Sequence, residues 1–377
     1  MIQAYSVYFV LLSILLYLAV KGKFEPGGEE EVQRRNYLVV GAASVALFTL
    51  VVGMRFNVGG DYGSYFDAYN DLDIFELRNT THFETGFYYL MASLRLLSLD
   101  YPALFLVTAF LQIYFVYRWA YDYRFMLPWV VFFYFTSLYL FESMNIIRQA
   151  LAFSFFLYST RFIIQRRLLP YLLFSVLAFL MHKSALLFIP LYFVLGRDWF
   201  ASVKVQLGLV LALVVLAIPI IGYLFENFGQ LALLLNYVDY ANMDEQTDMF
   251  FEDGGGYTAG YFFSLGVNLI IILYSKRLKE AFKEQHFYLY YNLFFIAMLW
   301  GVIAPAANSM VLARAFFYFS SLRFVVLSFF LYYLFSVNKD KLQYYIGTGL
   351  VAAYLLWFVM AIANKAAWCA PFQFYFQ

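Results

Sequence analysis

Long apolar segments recur along this chain, and short polar loops separate them. Most are long enough, at about 1.5 Å per helical residue, to cross much of a hydrocarbon core. The pattern therefore predicts an all-α integral membrane protein, a polytopic bundle of about 12 transmembrane helices. The predicted helices lie near residues 4–20, 37–53, 101–117, 126–141, 148–164, 168–181, 184–196, 205–224, 259–275, 287–304, 311–335 and 343–362.

The composition agrees with this interpretation and excludes several classes of protein. Hydrophobic residues make up 64% of the 377 residues and charged residues 13%, so most of the protein's surface must face a lipid bilayer and not water. We treat residues 1–377 as a single membrane domain. The net charge of +1 gives no general attraction for nucleic acid. One cysteine, Cys369, and three histidines argue against a metal site built from these residue types.

The positive charges predict the orientation. Most of the 25 lysines and arginines fall in one alternate set of loops, which should be cytoplasmic. Two long loops, 54–100 and the acidic 225–258, then face outward, and both termini lie outside. The first contains a predicted interfacial helix, 84–97. No loop resembles a nucleotide-binding segment, so no cofactor is expected.

A helical hairpin from Phe141 to Lys183 gives the strongest functional indication. Arg148 lies near the start of one apolar arm, and the second arm ends at His182 and Lys183. The two arms have similar lengths, so these cationic and imidazole groups should return to the same membrane face. Ionisable groups at membrane depth are costly and usually functional.

The first outer loop supplies a second set of polar and aromatic residues. Arg55 lies directly after the predicted helix 37–53, and two glycines precede Asp61, Tyr62 and Tyr65. The tyrosines offer rings that could stack on sugars, or they form an interfacial aromatic belt around a snorkelling arginine. Further along the chain, Arg314 begins the 311–335 helix and can face an outward cavity.

Four motifs resemble the EpsG family of Wzy-like bacterial polysaccharide polymerases, which make exopolysaccharide, capsule or O-antigen. They are R-F-N-V-G-x-D-Y-x-x-Y from Arg55, N-x-x-R-Q-A-L-A from Asn145, H-K-S-A-L from His182 and A-R-x-F-x-Y-F from Ala313. The resemblance implies a GT-C-like fold in the bacterial cytoplasmic (inner) membrane. It also implies a glycosyltransferase that faces the periplasm and polymerises oligosaccharide repeat units linked to undecaprenyl diphosphate.

This activity assigns roles to the candidate residues. Arginine forks suit the phosphate oxygens of the leaving diphosphate, and a base must accept the proton of the acceptor hydroxyl. The predicted diphosphate ligands are Arg148, Arg314 and Arg55. The base is His182 or Asp61, with His182 preferred. Tyr62, Tyr65, Asn145 and Lys183 are predicted to bind substrate.

The expected partners follow from the same activity. They are an undecaprenyl-diphosphate-linked donor and acceptor, membrane lipid, a chain-length regulator and a flippase, but no nucleic acid. Two other functions stay open: a flippase or transporter of lipid-linked or anionic glycans, and a membrane acyltransferase. The long outer loops favour the enzyme, because a flippase should have functional segments on both faces of the membrane.

Overall fold

The structure is a computed structural model that describes residues 2–24, 27–72, 83–216, 258–307, 310–337 and 340–376, with the side chains of 304–315 left out. These residues are almost entirely helical and form no strand, apart from one isolated bridge between Arg55 and Phe374. The acidic loop predicted at 225–258 lies outside the described residues up to position 257. The predicted all-α membrane fold is confirmed.

The described part of the chain contains sixteen α-helices. They are α1 (Ile2–Lys21), α2 (Glu30–Gly53), α3 (Tyr62–Asn70), α4 (Thr85–Leu96), α5 (Pro102–Ala120), α6 (Leu127–Thr136), α7 (Tyr139–Asn145), α8 (Ile147–Ile164), α9 (Leu168–Met181), α10 (Phe188–Val194), α11 (Val203–Leu216), α12 (Ala259–Ala281), α13 (Phe287–Ala307), α14 (Met310–Ser321), α15 (Arg323–Tyr332) and α16 (Lys341–Ala363). Short 3₁₀ segments, Tyr121–Met126, Lys183–Leu187 and Ala366–Trp368, and a π-helical turn, Tyr333–Val337, join or extend them.

Six of the described helical stretches are long and apolar enough to cross a membrane. They are Ile2–Lys21, Glu30–Gly53, Pro102–Thr136, Ala259–Ala281, Phe316–Val337 and Lys341–Ala363. Shorter apolar helices occupy Leu168–Met181, Lys183–Val194, Val203–Leu216 and Phe287–Ile303. The chain is therefore a multi-pass membrane protein, and the number twelve stays a prediction.

The stretch Pro102–Thr136 consists of two crossings of the bundle in opposite directions. The start of α5 lies against the end of α2, where a side chain at Gly53 would meet the Leu106 backbone at 2.7 Å. The end of α5 lies against the start of α2, where the Tyr37 hydroxyl donates to the Tyr117 carbonyl at 2.5 Å. The chain turns after Ala120, and α6 runs back until Tyr134 packs on Phe48, near the end of α2.

The chain divides into two compact units, residues 1–196 with 327–377 and residues 197–326. The first unit is a bundle with two chemically different ends. At one end the basic loops meet acidic partners, in the pairs Arg124–Glu30 and Arg161–Asp122. The other end, which we call the site end, gathers the end of α2, the start of α8, the end of α9 and the tail after α16.

The second unit contains its own polar contacts between helices. Lys279 pairs with Asp198 at 2.6 Å, and the buried Gln206 amide donates to Ser275 at 3.3 Å. The Arg323 guanidinium donates to the Asn268 amide oxygen at 3.0 Å. These bonds satisfy polar groups where the bilayer offers none.

Two predicted helices are interrupted. The span predicted at 126–141 breaks between α6 and α7, where Leu138 adopts a left-handed φ of 71°. The span predicted at 311–335 breaks at Leu322 and ends in a π-helical turn. Hydrophobic length alone does not reveal such breaks, because both sides of each break are apolar.

Candidate functional site

A break in the backbone precedes Arg148. Helix α7 ends at Asn145, and Ile146 adopts non-helical angles of φ −93° and ψ 62° before α8 begins. The buried Gln112 of α5 donates its amide to the carbonyls of Ser143 at 3.3 Å and Ile147 at 3.1 Å. Because backbone groups beside such a break need partners inside a membrane bundle, Gln112 stabilises the start of α8 that presents Arg148.

The Arg148 guanidinium is paired with one carboxylate. Its Nη1 donates to Glu84 Oε2, and its Cζ lies over the Phe83 ring, 4.5 Å from the ring centre. The hydroxyl of Tyr65 interacts with the same guanidinium. The Arg148 side chain keeps 20% of its surface exposed, against 9% for Glu84. Arg148 is thus held in place and still open on one side.

Glu84 also holds the far arm of the hairpin. Its other oxygen, Oε1, accepts the backbone N–H of Lys183 at 3.1 Å. One carboxylate therefore joins the start of α8 to the end of α9, and the prediction that Arg148 and the His182–Lys183 pair return to one face is confirmed. The side chain of Lys183 itself is exposed.

His182 lies in an extended turn between α9 and the next 3₁₀ segment. Its Nδ1 is 2.8 Å from the Ser184 hydroxyl, which also accepts from the buried Gln149 amide at 3.5 Å. Gln149 is the neighbour of Arg148 in α8. The imidazole is therefore oriented by side chains from both arms of the hairpin, which is what a proton acceptor with a fixed direction requires.

Asp61 is held close to the same segment by a different contact. Its backbone N–H donates to the Asn145 amide oxygen at 2.8 Å. Gly59 adopts a left-handed φ of 105°, and a side chain there would meet the Met144 carbonyl at 2.9 Å. Glycine is needed at this close approach, and the loop thereby places Asp61 beside Asn145.

Arg55 occupies a different environment from Arg148. Only 2% of its surface is exposed, and its three nitrogens donate to the carbonyls of Val58, Val52 and Met144 at 3.2, 2.8 and 3.0 Å. Its guanidinium also lies 4.7 Å from the Phe105 ring centre. Burial lowers the pKa of Arg55 to about 10, so the group stays charged at neutral pH. This position favours a structural role over the predicted diphosphate contact.

Tyr62 and Tyr65 are packed inside the protein. Each is 3% exposed. The Tyr62 ring stacks on Phe105 at 4.4 Å, and the Tyr65 ring lies 5.7 Å from Phe83. Their rings are therefore covered by the protein's own aromatic residues, which disfavours the predicted stacking on sugars. Arg314, the remaining predicted ligand, lies outside the residues whose side chains are described.

Several contacts at the site end were not predicted. Glu84 was recognised only as the start of the predicted helix 84–97, which the structure confirms as α4 with Phe87, Tyr88 and Leu94 buried. Gln149 and Ser184 stand inside the motifs beside Arg148 and His182, so their proximity to the predicted residues was the available signal. No group of three or more His, Cys, Asp or Glu residues suited to a metal occurs among the described residues.

Comparison with known proteins decides the family. The model of the EpsG family matches residues 38–374, nearly the whole chain. The protein belongs to the EpsG family. Neither the curated proteins nor the solved structures give a match.

Membership states the general activity. The EpsG family comprises Wzy-like polysaccharide polymerases, and its members are inner-membrane proteins. This EpsG-family chain is accordingly a membrane protein of polysaccharide biosynthesis with an activity of the polymerase type. The match spans every described residue of the site end from Arg55 to Phe374.

Proposed function

We propose that this EpsG-family protein joins oligosaccharide repeat units carried on undecaprenyl diphosphate, at the outer face of the bacterial cytoplasmic membrane. One observation supports the proposal most directly: the Glu84 carboxylate contacts both Arg148 and the Lys183 backbone. It brings an arginine and an oriented imidazole together at one end of one hairpin.

The charges at this position suit an anionic leaving group. Glu84 pairs with the Arg148 side chain and accepts only the backbone N–H of Lys183, and 20% of the Arg148 side chain stays exposed, so an anion can reach the guanidinium. A guanidinium offers a planar fork that matches phosphate oxygens, and Glu84 fixes its direction before the substrate arrives. Arg148 therefore stabilises the negative charge that develops on the diphosphate, and the role of Arg314 stays a prediction from the sequence.

The reaction requires one proton acceptor. In the proposed step His182 takes the proton from a hydroxyl of the acceptor sugar, and the hydroxyl oxygen forms a bond to the anomeric carbon of the donor. The bond from that carbon to the diphosphate oxygen breaks, and its electron pair leaves with undecaprenyl diphosphate. His182 then releases its proton, and the glycan has grown by the transferred chain.

The remaining expectations belong to this proposal. They are the donor and acceptor lipids, membrane lipid, a chain-length regulator and a flippase as partners, a GT-C-like fold, about 12 spans and both termini outside. The contacts of Tyr5 with Val359 and of Tyr8 with Cys369 support one part of it. These contacts lie at the site end, which supports the proposal that both termini are outside.

The direct test uses the purified protein and lipid-linked repeat units extracted from the source bacterium. A ladder of products on a gel is the expected result. A single added unit would replace the polymerase by a transferase or ligase, and lipid translocation in vesicles without chain lengthening would favour the flippase.

The outer location has its own test. With Cys369 replaced, a cysteine at the exposed Lys183 should react with a membrane-impermeant thiol reagent added to whole cells. A cysteine at the exposed Gln165, at the opposite end of the α8–α9 hairpin, serves as the control and should react only after permeabilisation. The reverse result would move the proposed site to the cytoplasmic face.

A further inference from the structure

The tail after α16 pairs with the loop that carries Asp61. The Phe56 N–H donates to the Gln373 carbonyl at 2.9 Å, and the Tyr375 N–H donates to the Met54 carbonyl at 2.8 Å. Nearer to Asp61, the Gly59 N–H donates to the Trp368 carbonyl at 3.1 Å. The tail therefore forms part of the site end, and its position relative to the loop is fixed by backbone hydrogen bonds.

Trp368 is the most exposed large aromatic residue in this arrangement. It has 72% of its surface exposed, although its backbone is bonded to Gly59. Lys365, Ala367 and Trp368 adopt left-handed φ values of 54°, 49° and 57°. Residues with a Cβ rarely adopt this conformation, and where the surrounding structure imposes it, it often positions a side chain for a ligand.

The loop is shaped to receive the indole. A side chain at Gly60 would lie 2.9 Å from Cδ1 of Trp368 and 3.2 Å from the Asn145 amide oxygen. Only glycine at position 60 leaves room for the Trp368 ring. The indole consequently lies beside the Asp61–Asn145 contact, and Asn145 is only three positions before Arg148.

We propose that Trp368 is a saccharide-binding platform on which a sugar ring of the lipid-linked glycan stacks while its diphosphate lies at Arg148. This inference rests on the proposed function and names the residue that holds the carbohydrate part of the substrate. The electron-rich face of an indole attracts the weakly positive C–H groups of a pyranose ring, and a large exposed ring provides the area for that contact.

The surroundings favour a sugar over the alternative, a lipid headgroup. Tryptophan often lies in the membrane interface as an anchor, but such an anchor needs no fixed backbone. Here three left-handed residues and a matching glycine fix the ring, and its neighbours Asn145 and Asp61 are hydrogen-bonding groups suited to sugar hydroxyls.

The test measures binding separately from polymerisation. Lipid-free oligosaccharides, released by mild acid from the lipid-linked pool of the source bacterium, are titrated onto the purified full-length protein. Trp368→Ala should raise their Kd about 3- to 10-fold, the range that one stacked aromatic contact contributes, and Trp368→Phe should restore most of the binding. Phe376→Ala is the matched control, because this ring of the same tail is 71% exposed and lies beyond the segment paired with the loop.

The outcomes separate this inference from the proposed reaction. An unchanged Kd in Trp368→Ala would overturn the platform even if the wild-type protein polymerises normally. A Trp368-dependent Kd in a protein that makes no ladder would keep the platform and overturn the reaction. A part of the tryptophan quenching by brominated lipids that is lost in Trp368→Phe and that oligosaccharide does not relieve would place the Trp368 ring in the lipid interface, which also overturns the platform.

Discussion

Two arginines, Arg55 and Arg148, lie at the same end of the bundle. Their surroundings differ, and the difference assigns a structural role to one and a role in substrate binding to the other. Arg55 has three backbone carbonyls as partners and is almost completely buried. Arg148 contacts one carboxylate, one tyrosine hydroxyl and one aromatic face, and keeps an open side. A buried cation whose three nitrogens all bind backbone carbonyls stabilises the fold, whereas one that is oriented but open can bind an anion.

The difference extends to the segments around them. The region of Arg55 contains the loop with Asp61 and the paired tail, and backbone hydrogen bonds hold it together. The region of Arg148 contains Glu84, Gln149, His182 and Ser184, and bonds between side chains hold most of it. We therefore expect substitutions of Arg148 and its side-chain partners to change turnover, and substitution of Arg55 itself to change stability.

The largest effect is expected from the base. His182→Ala should lower chain extension by about 10²- to 10⁴-fold, the usual contribution of a general base, while oligosaccharide binding stays nearly normal. Asp61→Asn, the matched change in the Arg55 region, should only weaken activity. In the wild type, activity should fall as the pH is lowered, because a protonated ring accepts no proton.

Product ladders from both variants at several pH values decide between the two residues. Near-normal turnover in His182→Ala together with an inactive Asp61→Asn would show that Asp61, in the region of Arg55, is the base.

The second largest effect is expected at Arg148. Arg148→Lys should lower polymerisation about 100-fold or more while the protein still inserts, because a point charge replaces a planar fork at the developing diphosphate charge. Arg161→Lys is the control, since Arg161 lies in the same helix and pairs with Asp122 at the opposite end. Its activity should stay within about 2-fold of the wild type, because lysine keeps the charge of this partly exposed ion pair far from the proposed site.

The measurement is the initial rate of ladder formation per amount of inserted protein. Equal rates in Arg148→Lys and the wild type would remove Arg148 from the proposed diphosphate site.

A smaller effect should follow from Glu84, which acts by positioning Arg148 and the turn at His182. Glu84→Gln keeps the shape but removes the charge, so we expect a loss of about 10-fold in turnover, and Glu84→Asp should recover part of it. Glu84→Gln combined with Arg148→Lys should cost less than the sum of the single changes, because contacting residues are not additive.

Glu30→Gln tests whether any lost ion pair has the same effect. Glu30 pairs with Arg124 at the basic end, where the Glu30 side chain is 68% exposed. It should leave the rate unchanged. Additive losses at Glu84 and Arg148 would show that the two residues act independently.

Sequence patterns predicted the hairpin but not the contacts that complete it. Helix length and charge placed Arg148 and His182 at one face, because the rise per residue is constant. Glu84 was beyond this reasoning, since its bond to Arg148 joins residues 64 positions apart and no periodicity links them. The pairing of the tail with the loop of Arg55 could not be predicted for the same reason.

The role of Arg55 shows a second limit of the pattern. In the sequence, Arg55 directly follows a membrane helix, which is also where a ligand-binding cation would stand. Its burial depends on contacts of the folded chain, so the sequence pattern could not reveal it. The break at Leu138 is hidden as well, because neither glycine nor proline marks it.

The smallest effect on turnover, with a large effect on stability, is expected at Arg55. Arg55→Lys leaves most of three carbonyl contacts without a donor, and each hydrogen bond of a charged group contributes about 1.5–3 kcal/mol, so the loss should be on the order of 3 kcal/mol. We expect a clearly lower melting temperature in detergent and less inserted protein, while the turnover of the folded fraction stays within about 2-fold. Thermal unfolding followed by size-exclusion chromatography, with the ladder rate measured on the same monodisperse fraction, separates the two quantities. If Arg55→Lys melts like the wild type but has lost polymerisation, Arg55 is a ligand of the diphosphate after all, and the contrast with Arg148 disappears.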